Sequence, residues 1–308
     1  MDISHSLSGL NLPPKSSCVA LGLFNGLHPG HMAVIDRMLA LSGQAGLTPL
    51  VFTFTASGKH PAAKTSMASL LSSRMMYFLL EQRGVGLIVR PGFEQFCHLT
   101  PERFVREMLC ERMGAARVVC GEDFRFGKNA SGDVGTLRRL CEDAGIAAEA
   151  VPTVTVDGQP AATRNIRRLI ERGDIPEANR LLGRPFTIDF EVIHGHKLGR
   201  KLDLPTINQE FPAGFTLPRF GVYLTRVLVS GKLYSGVTNV GVKPTTGQPR
   251  SPLAETFIQD FEGDLYGERV TVEFLQFLRD EQKFENTQQL KAAILADVAH
   301  AKEIISRK

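Results

Sequence analysis

The sequence predicts an α/β domain with a parallel sheet covered by helices, followed by a small antiparallel β-barrel closed by a C-terminal helix. Three observations predict it. Over the first half, short β-rich runs alternate with helical segments, the pattern of a parallel sheet. Beyond about Asp157 a short helical pair gives way to β-rich segments without intervening helices, the pattern of a small barrel. A length of 308 residues suits two domains of ordinary size.

In the first domain the strands are expected at Cys18 to Phe24, Leu50 to Phe54, Leu87 to Val89 and Arg117 to Cys120. Helices are expected at His31 to Leu41, Ser69 to Gln82 and Pro101 to Arg112. The last carries Phe104, Val105, Met108 and Leu109 on one face, with Thr100 as N-cap. This is a Rossmann-like layout, in which ligands bind beyond the carboxyl ends of the strands. Two short helices, Ile166 to Arg172 and Pro176 to Leu182, lead to Gly183-Arg184-Pro185. The boundary is placed there: residues 1–183, linker helices included, form the first domain and residues 184–308 the second. In the second, strands are expected at Thr187 to Ile193, Gly221 to Val229, Leu233 to Asn239, Glu255 to Gln259 and Arg269 to Phe274. Leu290, Ile294, Val298, Ala301 and Ile305 share one face of a closing helix.

Composition narrows the class. Hydrophobic residues at 43% and charged residues at 22% are ordinary for a soluble chain. No run of roughly 18 apolar residues and no secretory signal appears, so a cytoplasmic protein without membrane association is expected. Cys18, Cys97, Cys110, Cys120 and Cys141 form no CxxC pair, and most sit in apolar runs as expected of buried thiols. The net charge of +4 is scattered rather than gathered into a stripe, and nucleic-acid binding is not expected.

Directly after the first strand comes Gly22-Leu23-Phe24-Asn25-Gly26-Leu27-His28-Pro29-Gly30-His31, leading into a helix. Gly26 and Gly30 let backbone N–H groups approach a phosphate, and the helix N-terminus adds partial positive charge. His28 and His31 can donate hydrogen bonds to an α-phosphate as charge builds on it. A zinc pair lacks further ligands at a recognisable spacing, and structural capping histidines are the other alternative. A Walker loop at Gly121 to Lys128 is excluded by its length and by Asn129 in place of Ser or Thr. The HxGH pattern after a strand resembles the signature of the nucleotidyltransferase superfamily.

The run Gly121-Glu122-Asp123-Phe124-Arg125-Phe126-Gly127-Lys128 resembles the GxDFRFG segment of the prokaryotic bifunctional riboflavin kinase and FMN adenylyltransferase, also called FAD synthetase. The resemblance extends over nearly the whole chain. It implies that Phe24, Asp123 and Phe124 lie near the adenine and flavin sites, with Thr163, Arg164 and Arg167 at the phosphates. Three segments depart from the family pattern: Phe24-Asn25-Gly26 for FDG, Ala162-Thr163-Arg164-Asn165-Ile166-Arg167 for SSTRIR, and Thr53 to Pro61 for a segment around TFDPHP. The departures predict that adenylyl transfer is the weaker of two activities.

In the second domain, His194 to Asn208 combines glycines, clustered cations and a Pro205-Thr206-Ile207-Asn208 end. Gly195 and Gly199 can expose backbone donors to ATP phosphates, and Lys197, Arg200 and Lys201 can offset their charge. Thr206 and Asn208, two apart on an extended segment, project to one side and offer neutral oxygens suited to Mg²⁺. A basic surface loop followed by a strand is the alternative from these residues alone. The segment resembles the riboflavin kinase loop ending in PTAN. Asn239 to Thr245 and Ala254 to Phe261 resemble the family's NIGxRPT and E-x-H-x-x-D-F segments, which makes Glu255 the catalytic base by resemblance. Phe277 to Phe284, with Arg279, resembles a loop covering the flavin, and a loop leading into the closing helix without a chemical role is the alternative.

The expectation is an enzyme acting in series on riboflavin, FMN and ATP with Mg²⁺, giving FMN and then FAD. A riboflavin kinase alone, with a degenerate first domain, is the alternative. A flavin-sensing regulator is disfavoured, because a sensor needs neither base nor metal site.

Overall fold

The computed structural model describes residues 1–55, 68–194, 206–242, 251–282, 284 and 286–306. The chain divides into two compact units, Met1–Met67 with Ser73–Thr163, and Ala68–Ser72 with Arg164–Lys308.

The first unit is built on six parallel strands: β1 (Asp2–Ser4), β2 (Ser17–Leu21), β3 (Thr48–Phe52), β4 (Leu87–Val89), β5 (Ala115–Gly121) and β6 (Ala147–Val151), in the order β1-β4-β3-β2-β5-β6. From β2 the chain steps to β3 and β4 on one side and returns to β5 and β6 on the other. The order therefore reverses between β2 and β5, and a crevice beyond their carboxyl ends follows from the topology. All five residues of β2 are buried, because a central parallel strand is covered on both faces. The apolar run at Cys18 is the sequence trace of that position. Burial pushes the Cys18 thiol up to about 11 and those of Cys120 and Cys141 up to about 12, so these thiols stay protonated and unreactive.

The strands alternate with α1 (Pro29–Ala45), α2 (Ser73–Gln82), α3 and α4 (Val134–Asp143). Helix α3 starts at Pro101–Arg103 and continues over Phe104–Arg112 with π-helical winding. Thr100 caps it by accepting from the Arg103 N–H, and the four apolar residues expected on its inner face are the four it buries. Strands β1 and β6 and helix α4 were not among the expected elements. Ala-Ala-Glu-Ala-Val in β6 favours a helix by propensity, but its pairing with β5 along five residues overrides that preference. A short hairpin, β7 (Thr155–Val156) with β8 (Gln159–Pro160), brings the chain to Ala161 and Thr163.

In the second unit, α5 (Thr163–Arg172) and α6 (Ile175–Leu182) precede seven antiparallel strands: β9 (Phe186–Ile188), β10 (Val192–Ile193), β11 (Thr206–Glu210), β12 (Gly221–Val229), β13 (Lys232–Val242), β14 (Pro252–Ile258) and β15 (Thr271–Arg279). The linker helices, apart from Thr163, thus fall in this unit. Asn179 of α6 fastens them there by donating to the Phe274 carbonyl and accepting from the Phe186 N–H. The strand order β10-β11-β14-β13-β12-β15-β9 leaves β9 and β10, neighbours in the chain, at opposite edges. The sheet is curled: Val192 donates to the Glu268 carbonyl and Val270 to that of Phe190. This is the expected barrel, with Tyr223, Phe186 and Phe274 fully buried.

Two expected strands are corrected. Thr187 to Ile193 is two strands broken at Asp189. Arg269 to Phe274 begins instead at Thr271 and runs to Arg279 because it pairs with β12 along its length. Phe277 to Arg279 are therefore strand, not loop. The closing helix α7 (Thr287–Ser306) packs Val298 and Ala301 against Val222, Leu224 and Val237. Arg279 and Asp297 add two hydrogen bonds of 2.9 and 2.7 Å between β15 and α7.

Candidate active sites

The loop after β2 turns through two strained residues, Phe24 (φ 48°) and Leu27 (φ 43°). Left-handed backbone at bulky residues costs on the order of 1–3 kcal/mol each and is tolerated where the surroundings dictate it. Both are buried, and Gly22 admits the Phe24 ring, whose Cζ would lie 2.9 Å from a Cβ there. The turn delivers His28 to the N-cap of α1, with Pro29 in the first turn. His28 Nδ1 accepts from the His31 N–H at 3.4 Å, and its Nε2 lies 3.1 Å from Thr163 Oγ1. The Thr163 hydroxyl in turn donates to Asn25 Oδ1 at 3.2 Å.

The two imidazoles stack with centroids 3.8 Å apart, and the Phe24 ring meets His31 edge-on at 5.4 Å. Burial, and secondarily His28, hold the His31 ring well below the usual histidine range, so it is neutral near pH 7. Its Nδ1 is buried without a partner among the described residues. Two imidazoles at a helix N-terminus suit an anionic ligand. Gly30 sits in a crowded place: a Cβ there would lie 3.1 Å from the Ala161 carbonyl and 3.2 Å from the His28 ring, so one of them would have to give by a few tenths of an ångström. Gly26 is buried in the same turn.

Asp123 and Phe124 follow β5, the strand paired with β2, so both loops leave the same edge of the sheet at its order reversal. Asp123 is exposed. Phe124 is half-buried against the core and stacks on Phe126 at 5.8 Å. Arg164 and Arg167 belong to the second unit. Arg164 is exposed, whereas Arg167 is buried and donates to the Ala68 carbonyl at 2.7 Å, its pKa lowered by desolvation.

The second unit assembles its polar residues by strand register. Glu255 on β14 stands opposite Asn208 on β11 and Asn239 on β13, and the row continues through Val222 on β12 to Arg279 on β15. Opposed residues in an antiparallel ladder share a face, so one line of side chains crosses five strands. Thr206, two residues from Asn208, shares that face, and its hydroxyl donates to Glu255 Oε1 at 3.1 Å. That donation leaves the Thr206 lone pairs oriented away from the carboxylate, where a cation can use them. Among the described residues no group of three or more His, Cys, Asp or Glu is arranged to hold a metal. Thr206 and Asn208 instead offer neutral oxygens beside Glu255, donors that suit a hard cation sharing its coordination with phosphate and water.

Arg279 is held by Asp297, with its guanidinium 6.0 Å from the Phe284 ring. Gly195, Gly199, Arg200 and Lys201, like Lys197, lie outside the described residues. So do Lys243 to Thr245 and most of the segment from Thr53 to Pro61. Asn239 and Glu281 were not singled out as site residues in the sequence. Asn239 donates to Glu281 Oε1 at 3.2 Å, and Gly241 makes room for that carboxylate, which would lie 2.0 Å from a Cβ. Asn239 was visible only as part of a motif; that it flanks Glu255 depends on the register of β13 against β14.

Comparison with known proteins follows this division. Residues 11–165 match the family model described as FAD synthetase, and residues 182–305 that described as riboflavin kinase. A bifunctional riboflavin kinase/FMN adenylyltransferase from Pseudomonas fluorescens is 34% identical over 306 residues, covering 99% of this chain and 98% of that protein. The protein of the same name from Bacillus subtilis (strain 168) is 31% identical over 304 residues, covering 97% and 96%. Among solved structures, a protein from Streptococcus pneumoniae named macrolide-efflux protein superposes with a TM-score of 0.83 at 27% identity, covering 97% of this chain and 98% of that one. Among the described residues of the present chain, no helix is long and apolar enough to cross a membrane.

Proposed function

Because the chain belongs to the family of bifunctional riboflavin kinases/FMN adenylyltransferases, we propose that it makes FMN from riboflavin and ATP, and FAD from FMN and a second ATP. The observation that carries the reading is the line of Asn208, Glu255 and Asn239 with Thr206 hydrogen-bonded to Glu255, a base and two neutral oxygen donors on one rigid ladder.

In the kinase reaction, Glu255 takes the proton of the ribityl 5′-hydroxyl as that oxygen bonds to the γ-phosphorus of ATP. The bond from the γ-phosphorus to the bridging oxygen breaks and ADP leaves. Thr206 and Asn208 are the residues that would hold Mg²⁺, which when bound with ATP offsets phosphate charge. Gly195, Gly199, Arg200 and Lys201 are proposed around the phosphates by resemblance, and Arg279 is proposed at the flavin through the segment it anchors.

In the adenylyl transfer, a phosphate oxygen of FMN attacks the α-phosphorus of ATP and pyrophosphate leaves. His28 and His31 donate to the oxygens on which charge accumulates, at an N-terminus that already favours anions. Phe24, Gly26, Gly30, Asp123, Phe124 and Thr163 are proposed to line the nucleotide and flavin sites. Arg164 and Arg167 are proposed at the phosphates on the resemblance alone. The cytoplasm, where ATP is supplied and thiols stay reduced, is the proposed compartment.

Incubation with riboflavin, ATP and Mg²⁺, followed by chromatographic separation of flavins, is expected to give FMN first and FAD later. FMN that never proceeds to FAD would leave only the kinase. Gly30→Ala is expected to slow FAD formation by about three- to tenfold, because its Cβ would push the His28 ring or the Ala161 carbonyl by a few tenths of an ångström and reacting centres are sensitive to such displacement. FMN formation by the same preparation is expected to stay at the wild-type rate, and equal FAD rates would show that the crowding at Gly30 does not matter to the reaction.

A further inference from the structure

The histidine pair is held by a chain of hydrogen bonds whose directions are fixed at both ends. Asn25 Oδ1 has no hydrogen to give, so the Thr163 hydroxyl donates to it. The hydroxyl then meets His28 Nε2 with lone pairs, and Nε2 must carry the proton. At the other ring nitrogen the His31 N–H donates to Nδ1, which must be bare. The two constraints agree on one tautomer, assigned here from the partners of each nitrogen. Ring orientation is fixed separately, by the stack on His31 and the close approach of Gly30.

We propose that Thr163 and Asn25 are positioning residues for adenylyl transfer: Asn25 orients the Thr163 hydroxyl, and the hydroxyl holds His28 as the tautomer protonated on Nε2. This rests on the reading of the first unit as an adenylyltransferase. The chemical need is specific. A neutral imidazole protonated on Nε2 carries a donor that an anionic phosphate can share with, or take over from, the Thr163 oxygen, whereas the other tautomer presents a lone pair. A hydroxyl without an acceptor at position 25 can rotate and donate to Nε2, which favours the wrong form. A serine at 163 or an aspartate at 25 keeps the required donor and acceptor, so the departure from the FDG pattern at Asn25 preserves this function while removing a charge.

The test uses the full-length protein with ¹⁵N-labelled histidine. Long-range ¹H–¹⁵N correlation is expected to show His28 protonated on Nε2 in the wild type, and a mixture of tautomers in Thr163→Val and Asn25→Leu. In steady-state assays with FMN and ATP, both variants are expected to lose about 10- to 100-fold in kcat, less than removal of the donor outright. The KM for ATP should stay within about threefold, because the lost interaction matters mainly in the transition state. Thr163→Ser and Asn25→Asp are expected to restore both the tautomer and most of the rate. Circular dichroism and the dispersion of the remaining histidine signals report whether the first unit is folded in each variant, and riboflavin phosphorylation by the same preparations reports on the second. A wild-type tautomer pattern in Thr163→Val, an unchanged kcat, or a serine variant no better than valine overturns the proposal. A wild-type protein that forms no FAD overturns the functional reading and the catalytic half of the proposal, while the NMR comparison still decides the hydrogen-bond lock.

Discussion

Glu255→Gln is expected to lower FMN formation by about 10²–10⁴-fold, the usual cost of losing a positioned general base. The substitution is nearly isosteric. Its carboxamide oxygen can still accept from the Thr206 hydroxyl, so the 3.1 Å contact and the β11–β14 ladder are retained. What disappears is a group able to take the 5′-hydroxyl proton. Because the first unit contains none of these strands, the variant is expected to convert added FMN to FAD at the wild-type rate. The assay is FMN formation from riboflavin under saturating ATP and Mg²⁺, with circular dichroism to confirm folding. Kinase turnover within a few-fold of wild type in a folded variant would remove Glu255 from the role of base.

His28→Ala is expected to slow FAD formation from FMN by about 10²–10³-fold, the range for removing one preorganised donor from a developing anionic centre. Kinase activity should be unaffected. A structural cost accompanies the chemical one, because His28 is also the N-cap of α1 and loss of a side-chain cap removes about 1 kcal/mol. The two effects separate experimentally. Pyrophosphate release with FMN present reads the chemistry, and a denaturant titration reads the cap. Full FMN-dependent pyrophosphate release in the variant would reduce the histidine pair to a capping arrangement, whereas equal background rates in variant and wild type would show that the first unit is not an adenylyltransferase and leave the kinase alone.

Much of this was legible in the sequence because it is local. A strand–turn–helix with glycines and paired histidines specifies its own geometry, and Thr100 and the apolar face of α3 announce a helix start. Burial on both faces of β2, and of β5 over Val118 to Cys120, shows as short apolar runs. The rest depends on pairing. Nothing local places Asn239 beside Glu255, sixteen residues away along the chain, since a slip of one residue in β13 would turn its side chain to the other face. The same holds for Thr163, which reaches His28 and Asn25 across more than 130 residues of chain. Strand β6 is not legible because alanine-rich segments signal helix, and β9 and β10 read as one run because the break at Asp189 carries no glycine or proline.

The central claim, two phosphorus transfers carried by one chain, is tested most directly with two labels. The full-length protein is given riboflavin, Mg²⁺ and ATP labelled in separate isotopes at the α- and γ-phosphorus, and the FAD fraction is isolated. Kinase transfer puts one γ-derived phosphorus on the ribityl chain, and adenylyl transfer adds one α-derived phosphorus in the AMP moiety. FAD carrying the two labels in equal amounts is the predicted result. A flavin product carrying the γ label alone, with no α label entering any flavin at long times, would contradict it.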